Sequence, residues 1–416
     1  MEKTRGKGME RYEDPADLAE IATGRRGSLF ESDLGRFRNE LGERVGGRRI
    51  LVIGGAGSIG SATIKAVLPY TPAALHIVDQ SENNLAELVR DIRGSNLLRE
   101  GCEMRALPLD YGAGVTRRLL HDEEPYNLIW NFAAIKHVRS EKDVCSVLQM
   151  FDTNLVKQRR LIRWLGELGW RGRYFGVSTD KAANPINLMG ASKRMMELLI
   201  FGVNESWNAG VTSARFANVA FSDGSLLHGF FQRVRKKQAI AAPKDVRRYF
   251  VSLEESGHIC LLAAVLAPDG CIAIPKLDPQ LDAVEVVKVA KRFLERNGFR
   301  PEIHGEESAA VEAALEVSET GSYPLLVTNA DTTGEKEVEE FYSQSEHPAD
   351  CGFENLLGIV QERGEEAKLN QFLDWLETVL DAPAMALSKD DIVSRVGEVL
   401  EEFKHQEFGA NLDGRM

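Results

Sequence analysis

The chain has 416 residues, 51 Lys plus Arg against 63 Asp plus Glu, and 43% apolar residues. At ~150 residues per domain that length suggests two or three domains, or one large α/β domain with appendages, and the apolar fraction excludes wholesale disorder. The net charge of -12 argues against a nucleic-acid binder, which would show a basic surface. No stretch approaches the ~20 apolar residues of a membrane span, and the longest candidate, residues 260–267, is core-sized. Residues 1–20 mix charges and lack the apolar run of a secretory signal. The cysteines at 102, 145, 260, 271 and 351 have no paired spacing, so reduced thiols are expected and neither a disulfide frame nor a metal site. A cytoplasmic globular protein is the expectation.

Residues 1–45 are charged and weakly periodic, and read as an N-terminal arm. Ile50-Leu51-Val52-Ile53 is a short apolar run ending in glycines, the pattern of a buried parallel strand. Ala74-Leu75-His76-Ile77-Val78, Ala106-Leu107-Pro108-Leu109, Asn127-Leu128-Ile129-Trp130 and Tyr174-Phe175-Gly176-Val177 repeat it. Helical periods separate them, clearest over residues 84–92 and 153–168. This alternation predicts an α/β fold with a doubly wound parallel sheet over residues 46–214. A smaller substrate domain is expected over 215–340, with an amphipathic helix at 283–296. Residues 341–416 read as an acidic helical extension, with helices at 368–379 and 390–403.

Directly after the first predicted strand comes Gly54-Gly55-Ala56-Gly57-Ser58-Ile59-Gly60, with a helix expected to open at Ser61. Glycines at 54, 57 and 60 suit a tight turn that lets a pyrophosphate approach backbone N–H groups and the positive end of a helix. Asp79 follows about twenty residues on, at the end of the second strand, where a carboxylate accepts hydrogen bonds from the adenosine ribose hydroxyls. A carboxylate there repels a 2′-phosphate, and Gln80 and Ser81 offer no arginine to hold one. NAD is favoured over NADP. Asp110, closing the next strand, is a candidate for the adenine edge and equally a loop acid.

The stretch Val177-Ser178-Thr179-Asp180-Lys181-Ala182-Ala183-Asn184-Pro185-Ile186-Asn187-Leu188-Met189-Gly190-Ala191-Ser192-Lys193 leaves a strand, turns, and enters a helix. It brings a hydroxyl, a carboxylate and two amines to the carboxyl edge of a parallel sheet, where open α/β folds bind ligands. With Asn131-Phe132-Ala133-Ala134-Ile135-Lys136-His137-Val138, Arg215-Phe216-Ala217-Asn218-Val219, Arg248-Tyr249-Phe250 and Thr333-Gly334-Glu335-Lys336, it resembles the extended short-chain dehydrogenase/reductase superfamily. Within that superfamily the chain is similar to the CapD-like polysaccharide-biosynthesis branch, the UDP-N-acetylglucosamine 4,6-dehydratases. The matching segments span roughly residues 20–340. The superfamily usually places tyrosine four residues before the active lysine, and this chain has Met189, as does one subset of these dehydratases.

The resemblance implies NAD(P)-dependent dehydration of a UDP-linked sugar to a 4-keto-6-deoxy product, for glycan or secondary-metabolite synthesis, by a homo-oligomer. Oxidation at C4 acidifies C5–H, a base removes that proton, and an acid helps expel the C6 hydroxyl. The roles implied are acid/base for Asp180, C5 proton abstraction for Lys181 with a lowered pKa, and a hold on the C4 oxygen for Thr179. Lys193 is expected on the nicotinamide ribose. Ala133, Ala134 and Lys136 match the loop over the cofactor, and Met189, Asn218 and Arg248 the substrate side. Asn154 reads as a structural asparagine or a helix cap. Thr332-Thr333-Gly334-Glu335-Lys336 departs from the family's Arg-Pro-Gly-Glu-Lys, which puts the nucleotide in question more than the reaction. The competing readings are a 4-epimerase or oxidoreductase on the same fold, and a non-catalytic dinucleotide-binding scaffold.

Overall fold

The computed structural model describes residues 14–136, 141, 143–202, 210–317, 321–329, 339–361, 366–382 and 386–406. Its strands are β1 (Arg49–Ile53), β2 (Ala74–Val78), β3 (Glu103–Leu107), β4 (Leu128–Asn131), β5 (Arg173–Val177), β6 (Val211–Ala214), β7 (Asn218–Val219), β8 (Ile240–Pro243), β9 (Arg247–Val251), β10 (Cys271–Pro275), β11 (Ala283–Glu285), β12 (Arg300–His304), β13 (Ser322–Thr328), β14 (Ala349–Asp350) and β15 (Leu356–Val360). Nine of them form one sheet in the order β14-β15-β10-β6-β5-β4-β1-β2-β3. It is parallel from β10 to β3, and β15 joins β10 antiparallel.

Alternation along the central strands sorts their side chains onto two faces. Ile50 and Val52 of β1 face one layer with Phe30, Leu41, Ile64 and Val67, whereas Leu51 and Ile53 face a second with Phe151, Leu155, Leu161 and Ile200. The first layer holds helices α2 (Glu31–Arg36), α3 (Arg38–Val45), α4 (Ser58–Val67) and α5 (Glu82–Gly94), whereas α1 (Pro15–Thr23) buries Ile21 and Ala22 in a separate cluster with Phe221, Phe250 and Phe293. The charged arm is therefore structured from Asp14 on. Arg25 reaches buried Glu255 at 3.1 Å, and the Asp33 carboxylate accepts from the Glu354 and Asn355 N–H groups.

The second layer contains α6 (Gly114–Asp122), α7 (Val144–Phe151), α8 (Lys157–Glu167) and α9 (Leu188–Gly202). The helix expected over 153–168 is continuous with α7 through a π-helical turn, Asp152–Val156. Beyond β6 follow α10 (Leu226–Arg235), α11 (Leu253–Val265), α12 (Val286–Arg296), α13 (Glu307–Leu315), α14 (Glu366–Asp381) and α15 (Lys389–Val399). Two small sheets, β11-β9-β7 and β12-β13-β8, stand beside the main one. The helix expected from 283 starts at Val286, because Ala283, Val284 and Glu285 pair antiparallel with β9. Residues beyond 340 are less helical than expected: Leu356-Leu357-Gly358-Ile359-Val360 is an apolar run that extends the main sheet. The helix placed at 390–403 ends at Val399.

Both terminal helices dock on the body: Leu369, Phe372, Leu373 and Leu376 of α14 and Ile392 and Val396 of α15 are buried in the second layer. Phe372 stands edge-on to Phe151, with ring centroids 5.7 Å apart. Phe372→Ala is expected to cost about 3–5 kcal/mol through lost burial and the cavity it leaves. A urea titration followed by tryptophan fluorescence reads that loss as an earlier midpoint at unchanged slope.

Candidate functional site

The site begins where β1 runs into glycine. Gly54 has φ of 70°, the left-handed region that favours glycine, and a Cβ there would lie 2.5 Å from the Ala133 nitrogen. At Gly60 a Cβ would lie 2.5 Å from the Gly54 carbonyl oxygen. The turn is thus folded on itself and pressed against the loop after β4. The helix opens at Ser58, three residues earlier than expected, with Gly57 as its N-cap and no side chain capping it. The N–H groups of Ser58, Ile59 and Gly60 and the helix dipole together form an anion-binding end. The Ser58 hydroxyl donates to Asp223 Oδ2 at 3.1 Å and accepts from the Asp223 N–H at 2.9 Å. Lys136, exposed on the neighbouring loop, lies within electrostatic reach of Asp223.

Asp79 sits beside this turn. Its Oδ2 accepts from the Ala56 N–H at 3.1 Å and its Oδ1 from the Ser81 N–H at 2.9 Å. Asp110 is otherwise engaged: it pairs with Lys157 at 2.5 Å and accepts from the Gly112 N–H. That arrangement makes Asp110 an anchor for its loop. Ala133 donates its N–H to Asn131 Oδ1 at 2.9 Å, and Ala134 follows it in the same loop. Asn154 caps no helix. It lies inside the π turn, accepts from the Ile135 N–H, and donates to the Ile135 carbonyl and the Ser192 hydroxyl. A π turn widens the helix locally and is often found at functional sites; here it clamps the 132–136 loop to α9.

β5 delivers the second half. Ser178 leaves the strand with its hydroxyl on Glu197 Oε1 at 2.6 Å, and Asp180–Ala182 form a single 3₁₀ turn. A Cβ at Gly190 would lie 2.4 Å from the Lys181 carbonyl oxygen, so the first turn of α9 rests directly on this turn. Thr179 donates its hydroxyl to Asp180 Oδ1 at 2.6 Å. Lys193 points back to the Val177 carbonyl at 2.7 Å. Burial drags the Lys193 pKa down to about 8, although Glu197 opposes the shift. Met189, 3% exposed, belongs to the hydrophobic layer, and its N–H donates to Glu141 Oε1 at 2.9 Å.

Asp180 is 2% exposed and Lys181 Nζ lies 3.2 Å from its Oδ1. A third group, absent from the sequence-based expectations, completes the cluster. Glu339 Oε1 is 3.3 Å from Lys181 Nζ and 3.4 Å from Arg248 Nε, and its Oε2 accepts from Asn218 Nδ2 at 3.1 Å. Burial raises the Asp180 pKa, but Lys181, Glu339 and Thr179 outweigh it and hold the carboxyl well below its usual range. Burial likewise lowers the Lys181 pKa, and the two carboxylates outweigh it, so the ammonium is held above its ordinary range. The lowered pKa expected of Lys181 is therefore corrected: two acids flank it, and the depressed amine is Lys193. Burial and then Asp180 push the Glu339 pKa up to about 8.

Arg248 and Asn218, expected on the substrate side, do converge with Asp180 and Lys181, through Glu339. Glu339 stands in a run of acids (Glu335, Glu337, Glu339, Glu340) whose pattern reads as a solvated face; its only sequence signal is closeness to Lys336. His137 and Thr332-Thr333-Gly334-Glu335-Lys336 lie outside the described residues. Among the described residues no cluster of His, Cys, Asp or Glu is placed to hold a metal, and no helix is long and apolar enough to cross a membrane.

A family model described as "Polysaccharide biosynthesis protein" matches residues 50–358. The chain is similar to the capsular polysaccharide biosynthesis protein CapD of Staphylococcus aureus, 26% identical over 286 residues, 68% of this chain and 45% of that one. It spans less than half the length of that relative. A Campylobacter jejuni protein named UDP-N-acetylglucosamine 4,6-dehydratase (inverting) is 28% identical over 240 residues, 56% of this chain and 67% of that one. Among solved structures, Pen from Bacillus thuringiensis superposes with a TM-score of 0.61 at 21% identity, covering 77% of this chain and 88% of that one. DesIV, the dTDP-glucose 4,6-dehydratase of Streptomyces venezuelae with NAD and TYD bound, has a TM-score of 0.53 at 18% identity, covering 79% and 97%.

Proposed function

The chain belongs to the polysaccharide biosynthesis protein family, a branch of the extended short-chain dehydrogenases/reductases, and from that membership we propose that it is an NAD-dependent nucleotide-sugar 4,6-dehydratase. The observation that carries this reading is the ion pair of buried Asp180 with half-buried Lys181 at the carboxyl end of β5, in the parallel sheet whose β1 ends in the glycine turn. Nucleotide-sugar dehydratases among the relatives and the fold neighbours support it. UDP-N-acetylglucosamine is the proposed substrate.

The residues present fit a dinucleotide. The turn is closed at Gly54 and Gly60 to any side chain, the α4 terminus offers N–H donors, and Asp79 stands where ribose hydroxyls would donate. The chemistry supplied by NAD, when bound, is acceptance of a hydride from C4 of the sugar and its return to C6. Thr179 would hold the C4 oxygen. Lys193, whose Nζ donates to the Val177 carbonyl, would hold the nicotinamide ribose. The Asp180–Lys181 pair supports the elimination: the ammonium, held by Asp180 at 3.2 Å, steadies negative charge on the C4 oxygen as C5–H is lost. Met189 has no proton to exchange and supplies packing.

Mass spectrometry of the sugar nucleotide after incubation with the protein tests the reading. Loss of one water supports dehydration, an isomer of unchanged mass would mean epimerisation, and no change would contradict both. For the cofactor, Asp79→Ala is expected to weaken NAD binding more than NADP binding, because ribose hydroxyls lose their acceptor while repulsion of a 2′-phosphate is relieved. Calorimetric titration decides this, and a tenfold preference of the wild-type protein for NADP would refute the assignment.

A further inference from the structure

Glu339 lies in none of the motifs that mark the site, yet every charged group of the elimination cluster touches it. It is brought in by the segment leading to β14. The groups that face it are Asp180 and Lys181 from the turn after β5, Asn218 from β7, and Arg248 and more distantly Tyr249 from β9. Its neighbour Glu340 turns away to Asn184 Nδ2 at 2.7 Å.

Asp180 and Glu339 lie on the same ammonium, 3.2 and 3.3 Å from Lys181 Nζ, so ionising the second carboxyl works against the charge of the first and one of the two keeps its proton. The donor inventory decides which. Asp180 Oδ1 alone accepts from the Thr179 hydroxyl at 2.6 Å, the Lys181 N–H at 2.9 Å and Lys181 Nζ at 3.2 Å. An anion so surrounded is a poor proton donor and a weak base. Glu339 receives the long contacts, at 3.1–3.4 Å, and burial favours its neutral form. Its acid proton can be directed at Asp180 while the site is empty of substrate and at a departing hydroxyl when it is not.

Resting on the dehydratase reading, we propose that Glu339 is the group that protonates the leaving C6 hydroxyl, and that Asp180 is the fixed anion that positions Lys181. The step balances. The C5–H bond breaks with its electrons forming the C5–C6 double bond, its proton passes to one oxygen of the Glu339 carboxyl group, the C6–O bond breaks, and the proton on the other Glu339 oxygen completes a water molecule. Protons released at the C4 hydroxyl and at C5 match those consumed in forming water and in later reprotonating C5. Glu339 is therefore recharged within one turnover, with no co-reactant beyond NAD.

The test combines one measurement without turnover and one with it. Infrared titration of the unliganded protein labelled with ¹³C-glutamate should show a protonated-carboxyl band that survives at pH 7, disappears as pH rises, and is missing in Glu339→Gln. The wild-type rate of dehydration should fall along that same alkaline limb. Glu339→Gln should lower kcat by about 100-fold and remove the limb, and Glu339→Asp should restore part of the rate. Wild-type-like melting of the variants confirms that they fold. Absence of the band, or near-normal kcat in Glu339→Gln, overturns the proposal while leaving the dehydratase reading intact. No dehydration by wild-type protein of any nucleotide sugar overturns both, with the band then reporting only a buried structural acid.

Discussion

Asp180→Asn and Lys181→Met are each expected to lower dehydration by at least ~100-fold while NAD still binds, the usual loss when one proton-transfer or charge-stabilising group is removed, or about 3–5 kcal/mol of barrier. The reason is the pairing. Asparagine keeps the shape of Asp180 and its hydrogen bond from the Lys181 N–H but removes the charge that holds the Lys181 ammonium. Methionine keeps the length of Lys181 and leaves two neighbouring carboxyl groups, Asp180 and Glu339, without the cation that lies within 3.3 Å of both. Met189→Leu, a swap of similar volume in the hydrophobic layer, should cost far less. Single-turnover rates, with NAD binding measured in parallel, check all three. A near-normal rate in Asp180→Asn would show that the pair is structural.

Glu197→Leu is expected to destabilise the whole fold by about 3–5 kcal/mol, the loss seen when one member of a buried ion pair is removed. Glu197 and Arg215 are both fully buried and joined by two bonds, Nε to Oε1 at 2.7 Å and Nη2 to Oε2 at 2.6 Å. Arg215 also reaches Glu346 at 2.7 Å, which ties α9 and β6 to the segment before β14. Removing Glu197 strands part of the guanidinium charge and also frees Ser178, one residue before Thr179. The double replacement Glu197→Leu with Arg215→Met should cost less than Glu197→Leu alone, because no buried charge is then left over. Urea titrations of the single and double variants test this, and strictly additive losses would contradict it.

The parts of the fold that read clearly from sequence are those where local pattern and tertiary burial agree. β1, β2, β4 and β5 are short apolar runs because both faces of the sheet are covered, and the glycine turn is legible because no side chain fits there. The failures share a different cause. Val284 and the run at 356–360 become strands only because β9 and β10 offer partners far away in sequence, which no local period reveals. Asn154 reads as a structural asparagine or a helix cap, and local pattern does not choose between them, since nothing in the sequence shows a π turn. The family resemblance implies a lowered pKa for Lys181. That expectation failed because its nearest charges are acids, one of them 158 residues away. Glu339 itself is hidden in a run of glutamates.

The most direct measurement uses UDP-N-acetylglucosamine carrying deuterium at C4, incubated with the purified protein and NAD in ordinary water. The account predicts a product lighter by one water, with the label at C6 of the same molecule. A product of unchanged mass, or a dehydrated product with no label at C6, would contradict it.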